Sequence, residues 1–106
     1  MNYSNYNYKK NKEHNPNQKA VALSYQKGDA APQVTAKGQG YVAEKMLEVG
    51  SKNDVPIIQN KELVNELTKV DLGENIPPEL YKVVAEILVF VSNMDKQEEY
   101  RRYGKQ

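Results

Sequence analysis

The sequence contains no cysteine and no tryptophan, and it has one histidine, His14. Without thiols the chain cannot form disulfides, thiolate nucleophiles or sulfur-ligated zinc sites, and this composition fits a reducing compartment. With one histidine, the usual residue sets for metal binding and for triad catalysis cannot be assembled from this chain alone. The composition therefore argues against a metalloenzyme or a triad hydrolase, and no metal or other cofactor is expected.

A strong charge and long apolar runs are also lacking. The 15 Lys and Arg residues nearly cancel the 14 Asp and Glu residues, for a net charge of +1, so nucleic acid is not an expected partner. No apolar run approaches the roughly 20 residues of a membrane-spanning helix, and the amino terminus lacks the apolar centre of a signal peptide. We therefore expect a cytoplasmic protein.

Carboxylates are present, but their spacing follows helix faces. Glu44 and Glu48, and likewise Glu62 and Glu66, lie four residues apart. This spacing is typical of the solvated side of a helix and does not by itself indicate acid and base catalysis. All four are therefore predicted to be surface residues.

The two ends of the chain differ from its middle. Residues 1–18 are rich in Asn, Lys and Tyr, and this composition buries too little apolar surface to offset the entropy of ordering. We predict a flexible arm over 1–18, one domain over 19–95 and a charged, frayed tail over 96–106. The arm is interpreted as a polar tail rather than as an aromatic binding element, although three of its side chains could stack on a partner: Tyr3, Tyr6 and Tyr8.

Short strand candidates divided by turn residues occupy much of the middle. Residues 20–25 are β-compatible and mostly apolar, residues 26–29 form a turn, and residues 33–36 are a second strand candidate. A third strand is predicted over 55–59, with Pro56 at its beginning or on a sheet edge because proline cannot donate to the ladder.

Three helices complete the pattern. The first follows Gly38 and Gly40 and ends near Gly50, with a predicted buried stripe of Val42, Met46 and Val49. The second spans 61–70, with Asn60 as its N-cap and Gly73 placed to stop it. Its apolar stripe is Leu63, Val64, Leu67 and Val70.

The last helix opens at Pro77 and Pro78. It has more apolar residues than one buried face requires, so it is either enclosed on most sides or exposed to a partner. The core-facing positions are Leu80, Val83, Val84, Ile87, Leu88 and Val91, and the additional ones are Tyr81, Ala85, Leu88 and Val89. The elements together predict an α/β fold, a small mixed β-sheet flanked by about three to four helices.

Several segments in this order resemble one known family. They are Asn15-Pro16-Asn17-Gln18, AVALSY at 20–25, APQVTAKG at 31–38, DVPIIQNKEL at 54–63 and IPPELYKVVAEIL at 76–88. They resemble the C-terminal cytoplasmic domain of the FlhB/YscU export-switch proteins of flagellar and type III secretion. Full-length members carry transmembrane helices ahead of this domain, so the resemblance covers their cytoplasmic part and implies a free-standing homologue.

The resemblance also implies a candidate processing site. Family members cleave themselves between Asn and Pro in an Asn-Pro-Thr-His turn. Because proline has no amide hydrogen, the Asn side-chain nitrogen can attack its own main-chain carbonyl and expel proline. Here Asn15 and Pro16 match, but Asn17 and Gln18 replace Thr and His, and no apolar strand precedes the turn. We expect an unstrained turn that leads the chain into its first strand, with no self-cleavage and no turnover.

A candidate binding site follows from the same resemblance. The family has a shallow apolar recess that captures short apolar export signals, and its matching positions here are Ala31, Pro32, Ala85 and Leu88. Ordinary core packing is the alternative role for these four residues. The small side chains among them would keep such a recess open.

The implied function is a noncatalytic module of flagellar or type III protein export. It would bind export substrates or export-gate components, and it would influence the switch in substrate specificity. Its partners would be proteins of the export apparatus and their substrates, and contact with the membrane would be through these partners only. Two alternatives stay open: a protein that cleaves itself once at Asn15-Pro16, and a cytosolic interaction protein that kept the fold but left secretion, with the Tyr-rich arm as its working part.

Overall fold

A computed structural model describes the backbone of residues 15–103 and the side chains of residues 15–93. The first fourteen residues of the predicted arm lie outside the described residues, as do the side chains of the predicted tail. By its contacts the chain divides into two compact units, Met1–Ile76 and Pro77–Gln106. Within the described residues, none of the helices is both long and apolar enough to cross a membrane.

The first unit is built on an antiparallel pair of strands. Strand β1, Lys19–Ser24, pairs with strand β2, Gln33–Gln39. The register shifts between Ala22 and Leu23, where Thr35 is the extra residue of a β-bulge and donates its hydroxyl to the Ala22 carbonyl at 3.3 Å. Strand β1 is shifted by one residue from the predicted 20–25, and β2 is longer than the predicted 33–36 because its pairing with β1 continues through Gly38 to Gln39.

The predicted third strand is absent from the described sheet, which has two strands. Residues 55–59 have no assigned strand structure. Pro56 has no amide hydrogen to donate to a ladder. The amide of Val55 instead donates to the Gly50 carbonyl at 2.9 Å, and this bond ties the segment to the preceding helix. The prediction of a third strand over 55–59 was therefore wrong.

Helix α1, Tyr41–Lys52, packs on the strands, but its buried residues are Ala43 and Glu44 and not those of the predicted stripe. Ala43 is fully buried, whereas Val42 and Val49 are 53% and 56% exposed. The helix lies close to β2 at Gly38, where a Cβ would meet the side chains of Val42 and Met46. The predicted stripe was therefore wrong for Val42 and Val49.

The end of α1 also differs from the prediction. The helix continues past Gly50 and ends at Lys52, followed by Asp54 in a left-handed conformation with φ 60°. The amides of Asp54 and Val55 donate to the carbonyls of Ser51 and Gly50 at 3.3 and 2.9 Å. These two bonds form a Schellman motif, which stops a helix through a left-handed residue and does not require that residue to be glycine.

Helix α2, Lys61–Leu67, begins where predicted. The Asn60 side chain accepts a hydrogen bond from the Leu63 amide at 3.0 Å, which confirms the N-cap. Leu63 and Leu67 are buried as predicted. The helix ends earlier than Val70, and Gly73, with φ 83°, lies in the following turn rather than at the helix end.

The core of the first unit is small and mostly aliphatic. Val34 is fully buried. Its amide donates to the Glu74 carbonyl at 3.0 Å, and its carbonyl accepts from the Gly73 amide at 2.7 Å. These bonds hold the segment before Ile76 against β2. Burial of these side chains provides the main stabilisation of the unit. Its buried apolar residues are Ala20, Ala31, Val34, Ala43, Leu63, Leu67 and Ile76.

The second unit is a single helical segment. A 3-10 turn, Pro78–Leu80, leads directly into helix α3, Tyr81–Tyr103. Pro78 at the first helical position has the fixed φ that favours helix initiation. Of the predicted core-facing positions, Val84 is 1% exposed and the others are half-buried.

Candidate functional site at the Asn15–Pro16 turn

Residues 15–18 form a hydrogen-bonded turn immediately before β1. The Gln18 amide donates to the Asn15 carbonyl at 3.0 Å, and the Asn17 amide donates to Asn15 Oδ1 at 2.9 Å. Proline is favoured at the second position of such a turn, and an Asn side chain at the first position stabilises it locally. The predicted turn that leads the chain into its first strand is therefore present, with ordinary hydrogen bonding.

Side chains from β2 and α1 anchor this turn to the fold. Gln39 Nε2 donates to the Pro16 carbonyl at 3.1 Å, and the Asn15 amide donates to Glu44 Oε2 at 3.3 Å. Glu44 lies in the first turn of α1, where the helix dipole favours a negative charge. The Asn-Pro bond is thus held at the junction between β2 and α1.

Gly40 forms that junction and has a positive φ, which favours glycine. Its φ is 64°, and its amide donates to the Gln18 carbonyl at 2.7 Å. A Cβ at this position would lie 3.7 Å from both Cα and O of Pro16. The space is therefore sufficient, and the left-handed backbone is the reason glycine is favoured here.

The burial of Glu44 differs from what the sequence predicted. It is 7% exposed and is the buried charged residue among the described side chains, so the predicted solvated position was wrong for Glu44. Glu62 and Glu66 are exposed as predicted. Glu48 bonds Lys52 and Lys45 on the surface, and these bonds hold the pKa of its carboxyl below the ordinary value.

The geometry of Asn15 bears directly on self-cleavage. Cyclisation requires the side-chain nitrogen Nδ2 to approach the main-chain carbonyl carbon of the same residue. In the structure the side-chain oxygen Oδ1 of Asn15 accepts a hydrogen bond from the Asn17 amide. The carbonyl oxygen does accept one hydrogen bond, from the Gln18 amide, which would stabilise charge developing there. The carbonyl that would be attacked is thus polarised, and the side-chain oxygen of Asn15 is engaged in a hydrogen bond.

The four predicted recess residues are divided between the two units. Ala31 and Pro32 belong to the first unit and are buried, and the Pro32 carbonyl accepts from the Ile76 amide at 2.9 Å. Ala85 and Leu88 belong to the second unit, where Ala85 is exposed and Leu88 is half-buried. The assignment of these residues to a binding recess stays a prediction.

Two residues at the turn were missed by sequence reasoning. Gln39 and Glu44 contact the Asn-Pro segment across more than twenty residues of sequence. The spacing of Glu44 relative to Glu48 is the same whether the Glu44 side chain is buried or solvated, so no local sequence pattern distinguishes the two cases. Among the described residues no three His, Cys, Asp or Glu side chains gather into a possible metal site.

The strands, helices and turn define a small α/β domain, and the sequence matches place it in a family. The chain belongs to the FlhB HrpN YscU SpaS family, whose model matches residues 14–91. The solved cytoplasmic domain of FlhB from Shewanella putrefaciens is similar to this chain with a TM-score of 0.72 and 32% identity, covering 78% of this chain and 69% of that one. This match confirms the predicted α/β class.

Two curated relatives illustrate the range of lengths in the family. The flagellar biosynthetic protein FlhB of Aquifex aeolicus is 40% identical over 79 residues, which are 73% of this chain and 23% of that protein. The uncharacterized protein YlqH of Bacillus subtilis is 40% identical over 86 residues, which are 80% of this chain and 92% of that protein. The chain thus spans about a quarter of FlhB and nearly all of YlqH.

Proposed function

We propose that this chain is a noncatalytic module of flagellar or type III protein export that binds export substrates or export-gate components. The observation that carries the proposal is the family match over residues 14–91, together with relatives named flagellar biosynthetic protein FlhB. The protein would be located in the cytoplasm and would associate with the membrane only through its partners. An influence on substrate-specificity switching belongs to the same proposal.

The surface proposed for binding includes Ala85 on α3. Ala85 is exposed, so a charged side chain can be introduced there with little effect on the core. A carboxylate would oppose the docking of a short apolar export signal, because the charge would lose its hydration on binding. Leu88 is half-buried, so its replacement risks unfolding and is less suitable for the first test.

A pull-down from lysate of the source cells tests this function. We expect the wild-type chain to retain export-apparatus proteins or export substrates, identified by mass spectrometry, and Ala85→Asp to lose them. Lys61→Asp is the matched control, because it introduces the same residue at an exposed position on α2. Circular dichroism would verify that all three chains are folded.

Each outcome of this experiment has a separate meaning. Retention by all three chains would support the export module but place the binding surface away from Ala85. Absence of any secretion protein from the wild-type sample would contradict the export function. In that case retention of other proteins by the wild type, lost on deletion of residues 1–14, would support the cytosolic interaction protein that uses its Tyr-rich arm.

We infer further that the Asn15–Pro16 bond stays intact. The inference is supported by the hydrogen bond from the Asn17 amide to Asn15 Oδ1, at 2.9 Å, which restrains the side chain that would have to cyclise. Asn17 and Gln18 also stand where the family has Thr and His. The chain would therefore act without a covalent step.

Intact-mass spectrometry of the purified chain checks this inference. After prolonged incubation at neutral pH we expect the full mass of 12.1 kDa for the wild type. The control is Asn15→Ala, which has no side-chain nucleophile. Loss of residues 1–15 from the wild type but not from this variant would establish self-cleavage and support the one-turnover alternative.

A further inference from the structure

Helix α3 exposes a ridge of apolar side chains that nothing in the described structure covers. Tyr81 and Val89 are 44% and 59% exposed, and Ala85 between them is also exposed. Residues four apart lie on one ridge of a helix, with the small residue here at its centre and a larger one at each end. We call Tyr81, Ala85 and Val89 the α3 ridge.

Two opposite charges lie along one flank of the α3 ridge. Lys82 follows Tyr81, and Glu86 follows Ala85. Each is one residue beyond a ridge residue, which is a rotation of about 100° around the helix, so both lie on the same side of the ridge. Both side chains are exposed. Within the described residues neither forms an ion pair, since the ion pairs there join other residues.

We propose that the α3 ridge docks a second copy of this chain, in competition with the export signal proposed for Ala85, with the two α3 helices antiparallel about a two-fold axis at Ala85. At about 1.5 Å rise per residue, Tyr81 and Val89 lie about 6 Å on either side of Ala85. The two-fold axis then places Tyr81 of each copy opposite Val89 of the other. Two alanines meeting at the centre permit close approach of the helices.

The charges agree with the same arrangement. Measured along the helix from Ala85, Lys82 lies about 4.5 Å on one side and Glu86 about 1.5 Å on the other. An antiparallel two-fold brings the same flank of both helices to one side of the contact. Lys82 of each copy therefore comes within about 3 Å, along the axis, of Glu86 of the other. The sequence is self-complementary in both shape and charge.

The size of the contact sets the expected strength of the dimer. The ridge and its flank cover about two and a half helical turns. Such a contact buries less than the roughly 1,200 Å² typical of stable complexes. The dimer should therefore be weak and should form only at high protein concentration.

Disulfide trapping gives the first test, because the natural chain has no cysteine. Ala85→Cys would place two thiols next to the two-fold axis, and we expect a covalent dimer on mild oxidation of the concentrated full-length protein. Glu62→Cys, at an exposed position on α2, is the control and should cross-link much more slowly. Equal cross-linking rates in the two variants would overturn the proposal.

A charge exchange gives a second and independent test, by sedimentation equilibrium. Lys82→Glu and Glu86→Lys should each weaken the dimer roughly three- to tenfold, because each places like charges together at two symmetric positions. The double variant Lys82→Glu with Glu86→Lys restores opposite charges and should return the dissociation constant to within about twofold of the wild type. A wild type that stays monomeric, or a double variant as weak as the single ones, would overturn the proposal.

Discussion

Replacement of Gly38 by alanine is expected to lower the free energy of unfolding by about 1–3 kcal/mol, the usual range for overpacking. A Cβ at Gly38 would lie 2.5 Å from Val42 Cγ1 and 3.0 Å from Met46 Sδ. Both contacts are with α1, which lies directly over β2 at this point. Urea denaturation monitored by circular dichroism measures the change.

A second substitution identifies the contact responsible. Val42 is 53% exposed, so Val42→Ala alone should change stability by no more than about 0.5 kcal/mol. In the Val42→Ala background, Gly38→Ala should cost less, because its nearest obstacle is gone and the flexible Met46 side chain can move. An unchanged cost in that background would show that the clash with Val42 is not the cause.

Gly50 provides the matched glycine control. A Cβ there would lie 3.7 Å from Val55 Cβ and 3.9 Å from Ile57 Cδ1, which are ordinary contacts. Gly50 is inside α1, so Gly50→Ala should raise the free energy of unfolding by about 0.5–1 kcal/mol through helix propensity. The same substitution should thus have opposite signs at the two glycines.

Replacement of Lys37 by methionine is expected to cost about 1.5–3 kcal/mol, the range for hydrogen bonds to a charged group. Lys37 Nζ donates to the carbonyls of Thr68 and Val70 at 3.0 and 2.7 Å. These carbonyls lie at and just beyond the end of α2, whose last turn has no basic residue of its own. The lysine of β2 therefore supplies the positive charge that favours a helix C-terminus.

Lys69→Met is the control for the loss of a lysine. Lys69 pairs with Glu66 at 3.2 Å on the surface, where both side chains are more than half exposed. Such a pair is worth about 0–1 kcal/mol and is weakened by salt. Equal losses of stability in the two variants would show that the Lys37 bonds do not hold α2 to the sheet.

Much of the local structure of this chain could be predicted from its sequence. The two strands, the turn at 26–29 and the capping of α2 by Asn60 are all present as predicted. Each depends on residues close together in the chain, where propensity and spacing carry the information. The family resemblance was likewise carried by contiguous segments and is confirmed by the match over 14–91.

The errors came where distant residues decide the outcome. Periodicity could not tell that α1 would bury Ala43 and leave Val42 and Val49 more than half exposed, because burial depends on the strands against which the helix packs. Gly50 is a residue type that often ends a helix, yet α1 continues to Lys52 and the left-handed residue that follows it is Asp54. Nor does the sequence contain a local sign that Lys37 would reach the end of α2.

The same division applies to the candidate sites. By itself the sequence determined the absence of thiol chemistry, the near-neutral charge and the Asn15–Pro16 turn, because each depends on composition or on adjacent residues. Only the tertiary structure decided that Glu44 is buried against that turn, and that Tyr81, Ala85 and Val89 stay exposed on α3. Burial is a property of what packs around a residue, and the spacing of residues along a helix specifies a face without specifying what covers it.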